Sequence, residues 1–191
     1  PELVEQAREI RARGLDSNLD WDLEELKQQE ICDELLHHWG RDSEISTLAR
    51  SPHPFSTTLG PCDFRLTMRV VPGQPFSSFL STAHEWGHSL YEQGLPRDGH
   101  EYFAWPLGNP TSMAIHESQS LFWENRVARS MAFANRWWPK FTCAGAPIAS
   151  ADELWRLVNP LTPGLIRVES DELSYGLHIL IRMDLEISLL E

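Results

Sequence analysis

Helical periodicity dominates the pattern of hydrophobic and polar positions along the chain. Apolar residues recur at spacings of three and four in several segments, which is typical of helices that bury one face. The pattern predicts helices at about 2–13, 22–39, 75–93, 112–138, 150–159 and 170–190. The short helix among them begins at Ser150-Ala-Asp-Glu153, which has the spacing of a capping box.

One segment alternates instead of following the helical period. The apolar positions of residues 63–71 that fall on one face are Phe64, Leu66, Met68 and Val70. This period of two predicts a half-buried strand. The preceding stretch, 43–61, is rich in Ser, Pro and Gly and predicts a loop. The chain therefore reads as mainly α-helical.

Charge and cysteine content narrow the possible partners. The 191 residues include 28 Asp or Glu and 16 Lys or Arg, which gives a formal net charge of −12. This charge repels nucleic acid and anionic lipid, so neither is an expected partner. No apolar run approaches the roughly 20 residues of a membrane helix. The three cysteines form no Cys-x-x-Cys pair, and we expect a reducing, cytoplasmic location.

Residues 84–88 are His-Glu-Trp-Gly-His, the H-E-x-x-H pattern, within the helix predicted at 75–93. Residues four apart lie one turn above each other, so His84 and His88 are able to bind one metal ion. Glu85 lies one position round from His84, where it is suited to act as general base rather than as a ligand. The alternative is an amphipathic helix that carries two solvated histidines.

A catalytic zinc site needs a third protein ligand. Glu92 lies on the same helix but too far along it, since ligands at i, i+4 and i+8 span about 12 Å. The next predicted helix offers His116, Glu117 and Glu124, and spacing alone does not choose between the two glutamates. Each candidate also has an ordinary structural interpretation, Glu124 as a surface charge and His116 as a buried, hydrogen-bonded histidine.

The last predicted helix carries a polar stripe of Asp171, Tyr175, His178, Arg182 and Glu186. Such a stripe is usually a solvated face, although a Tyr and a His in its middle also suit a site wall that donates to a developing oxyanion. Upstream, Arg167 lies in an otherwise apolar stretch and is a candidate for bidentate capture of a substrate carboxylate. An ordinary salt bridge to Glu169 or Asp171 explains it equally well.

Five segments follow one another in a recognisable order. They are 53–55 (His-Pro-Phe), 63–67 (Asp-Phe-Arg-Leu-Thr), 84–94, 115–125 and 166–178. Together they resemble the carboxypeptidase Taq family of metallocarboxypeptidases, and the resemblance covers about His53 to Glu191. It implies a mainly α, zincin-like metallopeptidase core with a small β-sheet. It also implies hydrolysis of the C-terminal peptide bond of peptides that have a free C-terminus.

The resemblance implies a role for each matching residue. His84, His88 and Glu117 would bind zinc or cobalt, which selects Glu117 over Glu124, and Glu85 would be the general base. The substrate's terminal carboxylate would bind Arg167. Tyr175 and His178 would line the pocket and assist the tetrahedral intermediate. Family resemblance also implies a homodimer.

Two departures from the family pattern stand out. Trp86 occupies a position where the family generally has a small residue, which predicts a tighter groove or a differently packed helix. The family's Gly-x-x-Gln-Asp-x-His-Trp segment does not occur before Glu191. We therefore expect residues 1–191 to form a single metallopeptidase core that is part of a larger catalytic domain. The alternative function is a truncated, catalytically silent module that binds metal or a partner.

Overall fold

A computed structural model describes Gln6, Glu9, Leu19 and residues 21–96, 102–161, 164–167 and 170–191. The helix predicted at 2–13 lies almost wholly outside these residues. The described elements, in chain order, are helix α1 (Glu25–His38), strands β1 (Ser46–Arg50), β2 (Ser56–Gly60) and β3 (Asp63–Met68), helix α2 (Pro75–Gln93), two 3₁₀ turns (Tyr102–Ala104 and Pro106–Gly108), helix α3 (Met113–Leu121), a π-helix (Phe122–Ala128), and helices α4 (Met131–Cys143), α5 (Ala151–Val158) and α6 (Glu172–Leu190). The prediction of a mainly α fold with a small sheet is confirmed.

The three strands form one sheet in the order β1-β3-β2, with β1 parallel and β2 antiparallel to β3. On the central strand, the predicted inward face of Phe64, Leu66 and Met68 is buried. The prediction of a loop over 43–61 is wrong, because β1 and β2 lie in it. Their Ser- and Thr-rich sequences show little apolar alternation, since short edge strands are only half buried and obtain their backbone hydrogen bonds from β3.

Helix α2 contributes side chains from one face to two hydrophobic clusters, which follow one another along the helix. The larger cluster contains aromatic side chains from α2 and α4, among them Phe79 and Phe141, whose rings stack with centroids 5.0 Å apart. The smaller cluster packs Trp86 of α2 against Leu36 of α1 and Leu66 of β3. Trp86 is fully buried. The metal motif therefore lies on a helix that core packing holds along one face, at Phe79 and again at Trp86.

The segment 112–138, predicted as one helix, consists of three pieces. Helix α3 continues directly into the π-helix, and the helical conformation is interrupted at residues 129–130 before α4 begins. The Ser130 hydroxyl caps α4 by accepting a hydrogen bond from the backbone N–H of Phe133 at 3.0 Å. No Gly or Pro marks this break, so the hydrophobic period alone did not reveal it. The predicted start of α5 is confirmed, because the Ser150 hydroxyl accepts from the backbone N–H of Glu153. The Glu153 carboxylate accepts from the backbone N–H of Ala149, one residue before the position that a regular capping box uses.

Helix α6 contrasts with the others because none of its described residues is buried. Its apolar side chains are exposed, as at Leu180, where 58% of the surface is accessible. In the described part of the chain, no helix combines the length and the apolar character that crossing a membrane requires.

Candidate metal centre and active site

Helices α2 and α3 bring three metal-binding side chains together. One ligand atom from each of His84, His88 and Glu117 lies within 4.8 Å of the others. The Glu117 carboxylate is 3.3 Å from Nε2 of His88 and 3.9 Å from Nε2 of His84. Two ligands of a tetrahedral zinc ion, with bonds of about 2.0–2.1 Å, lie about 3.4 Å apart. The two-histidine, one-carboxylate donor set and its spacing thus fit a divalent metal of the zinc type.

Gly87 allows α3 to approach α2 closely enough for this arrangement. A Cβ atom at Gly87 would lie 2.5 Å from the carbonyl oxygen of Gln119 and 2.6 Å from Cα of Ser120. Both atoms belong to the backbone of α3, so no rotamer change removes the clash. Since Glu117 projects from the same part of α3, the missing side chain at Gly87 sets the distance between the histidines and the glutamate.

Glu85 is the most enclosed carboxylate of the centre, with 7% of its surface exposed. Burial raises its pKa above the ordinary value, and the negative charge of Glu117 adds to this effect. The two histidines and a hydrogen bond with Ser56 oppose the increase without cancelling it. A raised pKa suits a general base that takes up a proton and later returns it.

Glu124 contacts the other nitrogen of His84. Its Oε2 atom is 2.9 Å from Nδ1 of His84, and its Oε1 atom accepts a hydrogen bond from Arg129 at 3.0 Å. Burial opposes the charge of Glu124, but the His84 and Arg129 contacts outweigh it and hold its pKa below the ordinary value. The pKa of Glu117 is also lowered, chiefly by its hydrogen bond with His88. Of the two glutamates left open by spacing, Glu117 faces both Nε2 atoms and Glu124 lies behind His84.

A second set of contacts supports His88. The Nδ1 atom of His88 is 3.1 Å from the backbone oxygen of His116 and 2.6 Å from the Nδ1 atom of the His116 ring. The His116 ring continues to Glu92, with 2.9 Å between Nε2 and Oε1, and Glu92 contacts Thr58 of β2. One proton assignment satisfies these contacts: His88 donates from Nδ1, and His116 donates from Nε2 to Glu92. His116 is thus hydrogen-bonded behind a candidate ligand.

A cavity of about 270 Å³ opens beside His116, between β2 and the segment that leads into α3. Its lining includes Ser56, Thr58, Ser89, Glu92 and Asn109. These side chains offer hydroxyl, amide and carboxylate groups, so the cavity is polar. It borders the candidate metal centre through His116, which contacts His88, and through Ser56, whose hydroxyl lowers the pKa of Glu85.

The other predicted site residues lie in a separate segment. The Arg167 guanidinium donates a hydrogen bond to the Tyr175 hydroxyl and lies 5.2 Å from the centre of its ring. The His178 ring contacts the backbone oxygen of Gly164 at 2.9 Å. Asp171, from the same stripe, caps α6. The structure thus brings Arg167 and Tyr175 together, but the contacts described for them and for His178 stay within 164–178.

Sequence reasoning missed the contacts that Arg129, Ser56 and Gly87 make with this site. Arg129 follows Glu124 by five positions, and residues at that spacing do not face each other on the α-helix that the pattern predicted. Ser56 lay in a stretch predicted as loop. Trp86, which departs from the family pattern, is fully buried, and its side chain packs in the smaller hydrophobic cluster.

Comparison with known proteins identifies the family. The model of the carboxypeptidase Taq (M32) metallopeptidases matches residues 1–191. The chain belongs to this M32 family. The resemblance drawn from five ordered motifs is therefore confirmed.

Relatives and solved structures agree with this membership. Thermostable carboxypeptidase 1 of Thermus thermophilus is 42% identical over 164 residues, which are 85% of this chain and 32% of that protein. Carboxypeptidase 1 of Bacillus subtilis is 38% identical over 84% of this chain and 32% of its own length. The metallocarboxypeptidase 1 structure from Trypanosoma cruzi superimposes with a TM-score of 0.89 at 30% identity, covering 99% of this chain and 39% of that one. The M32 carboxypeptidase of Deinococcus radiodurans gives 0.86 at 34% identity, covering 98% and 38%. The chain thus spans about a third of the length of these curated relatives.

Proposed function

We propose that this chain carries the metal centre and the general base of a metallocarboxypeptidase that hydrolyses the C-terminal peptide bond of peptides. The observation that carries the proposal is the convergence of His84, His88 and Glu117 beside the buried Glu85. Membership of the M32 family and the names of its carboxypeptidase relatives support the reaction type.

The residues would divide the work between holding a metal and moving a proton. His84 and His88 would bind zinc, or cobalt, through Nε2, and Glu117 would bind it through a carboxylate oxygen. A bound divalent metal supplies Lewis-acid chemistry, since it polarises the scissile carbonyl and makes water more acidic. Glu85 would accept a proton from the attacking water and pass it to the nitrogen of the departing amino acid.

Selection of the C-terminal bond requires a group that binds the terminal carboxylate. We assign this role to Arg167, because a guanidinium binds carboxylates bidentately. The Tyr175 hydroxyl, which hydrogen-bonds to Arg167, and His178 would line the same end of the substrate and assist the tetrahedral intermediate. The expected substrates are peptides with a free C-terminus, and a peptide amidated there would not be cleaved.

The cysteines support the proposed cytoplasmic location. Cys32, Cys62 and Cys143 are all free in the structure, as expected for a protein in a reducing compartment. A homodimer, which the family resemblance implies, remains part of the proposal and is testable by sedimentation of the full-length protein.

Replacement of Glu85 by Gln in the full-length protein tests the mechanism. The amide retains the shape of the side chain but does not take up a proton, so release of the C-terminal residue from an N-blocked dipeptide should stop while zinc content stays normal. Glu44→Gln, at an exposed carboxylate, is the matched control and should release product normally. Full activity of Glu85→Gln, or loss of its zinc, would contradict the assigned role. A wild-type protein that binds zinc without releasing product would favour the catalytically silent module instead.

A further inference from the structure

The contact between Glu124 and Arg129 depends on the type of helix that joins them. In an α-helix, positions five apart are separated by about 140° round the axis and do not face each other. Hydrogen bonds in a π-helix run from i to i+5 and bring such positions to nearly the same side. Glu124 lies in the π-helix and Arg129 directly follows it, which accounts for their 3.0 Å contact.

Arg129 is itself anchored from outside the π-helix. Its guanidinium donates a hydrogen bond to the carbonyl of Val158, the last residue of α5. The side-chain amide of Asn159 donates to the backbone carbonyl of Arg129 at 2.9 Å. About a fifth of each side chain of the Glu124–Arg129 pair is exposed, 22% for Glu124 and 20% for Arg129. The Glu124 carboxylate is therefore fixed by an arginine that the α5 end holds in place.

The same carboxylate determines which nitrogen of His84 carries the proton. An ionised carboxylate only accepts hydrogen bonds, so Nδ1 of His84, 2.9 Å from Oε2 of Glu124, must be the donor. In the neutral ring, the Nε2 atom then has a free lone pair, and this atom lies on the side of Glu117. A metal ligand needs the imidazole in this form, and histidine ligands commonly obtain it by donating their other N–H to a carboxylate.

We propose that Glu124 is a positioning residue of the metal centre, which fixes the ring orientation and the proton of His84, and that Arg129 holds Glu124 for this task. The proposal rests on the metal site proposed above. It gives Glu124 a role that acts through His84, without direct contact with the metal.

Metal affinity of Glu124→Gln in the full-length protein provides the test. Outer hydrogen-bond partners of metal ligands typically contribute about 10- to 100-fold to affinity, so we expect zinc binding, measured by competition with a chelator, to weaken by about that factor. At saturating cobalt, the visible absorption spectrum should keep the wild-type shape because no ligand has been lost. Glu117→Gln is the comparison variant and should change that spectrum.

Arg129→Lys provides a second variant in case Glu124→Gln folds poorly. Lysine keeps the charge but lacks the fork that reaches Glu124 and Val158 together, so zinc affinity should fall by a smaller factor. The double variant should bind zinc about as weakly as Glu124→Gln alone, since both changes interrupt one chain of contacts.

Each outcome has a defined meaning. Wild-type zinc affinity in Glu124→Gln, with or without a lower unfolding temperature of the metal-free protein, would overturn the positioning role. A cobalt spectrum altered as in Glu117→Gln would also overturn it, because Glu124 would then be a ligand. If the wild-type protein bound no metal at all, the failure would belong to the proposed metal site itself.

Discussion

Replacing Gly87 by Ala should damage the metal centre without touching any of its ligands. Gly87 lies on α2 directly before His88, where the backbone of α3 is in close contact with α2. The added methyl group would meet the carbonyl oxygen of Gln119 at 2.5 Å, whereas ordinary contacts begin at 3.4 Å. One of the two helices must therefore move by about 0.9 Å.

That displacement is large for a metal site. Ligand distances must hold to about 0.2 Å, so a shift of this size would withdraw Glu117 from the two histidines. We expect zinc affinity to fall by more than the roughly 10- to 100-fold typical of outer-shell changes. Overpacking should also cost about 1–3 kcal/mol of stability, although Ala is a better helix former than Gly by about 1 kcal/mol.

Two measurements on the same variant separate these effects. Chelator competition gives the zinc affinity, and thermal unfolding of the metal-free protein gives the stability. Gly176→Ala is the matched control, because Gly176 is also helical but a Cβ atom there meets nothing within 4 Å. This control should gain up to about 1 kcal/mol of stability and keep its zinc affinity.

The reasoning would be refuted by a Gly87→Ala protein that binds zinc as tightly as the wild type. Such a result would mean that α2 and α3 separate along a direction that leaves Glu117 in place. An increase in stability like that of Gly176→Ala would likewise contradict the close crossing at Gly87.

Two further predictions concern the core. Burial raises the pKa of the Cys32 thiol to about 12, and the thiolate is the reactive form, so a thiol reagent at about pH 8 should label only Cys62 and Cys143 until the protein is unfolded. Equal labelling rates at all three cysteines in the native protein would disprove this prediction. Gln28→Leu should cost about 1–3 kcal/mol in urea unfolding, because it leaves a buried carbonyl before α1 without its side-chain donor. Gln29→Leu is the control, because Gln29 is the half-buried neighbour of Gln28, and this change should alter the stability by less than about 0.5 kcal/mol.

Elements with a strong local signal could be predicted from the sequence. Helix α2 has the bounds expected from Pro75 and the apolar period, and β3 buries the face expected from its alternation. Strands β1 and β2 could not be predicted in this way, since their stability comes from pairing with β3. The break at Arg129 was missed because Ser130, a residue common within helices and loops alike, marks it only through its capping bond.

The candidate site likewise combines features that local sequence spacing predicts and features that depend on tertiary structure. The spacing of His84 and His88 was sufficient to place them together, since four residues make one helical turn. Spacing could not choose between Glu117 and Glu124, which are seven residues apart and share a face of the predicted helix. Tertiary structure distinguishes the two glutamates. The close approach of α3 at Gly87 directs Glu117 towards both Nε2 atoms, and the π-helix directs Glu124 towards Nδ1 of His84.

The geometry around the π-helix Phe122–Ala128 depends more on the number of residues in the segment than on their identity. Deleting one residue would allow the turn to close as an α-helix and would rotate everything beyond it by about 100° relative to α3. Arg129 would then lose its alignment with Glu124, whatever side chains remained. Substitution of an exposed residue such as Phe122 leaves the count unchanged. We therefore expect related chains to differ here in sequence but not by insertion or deletion.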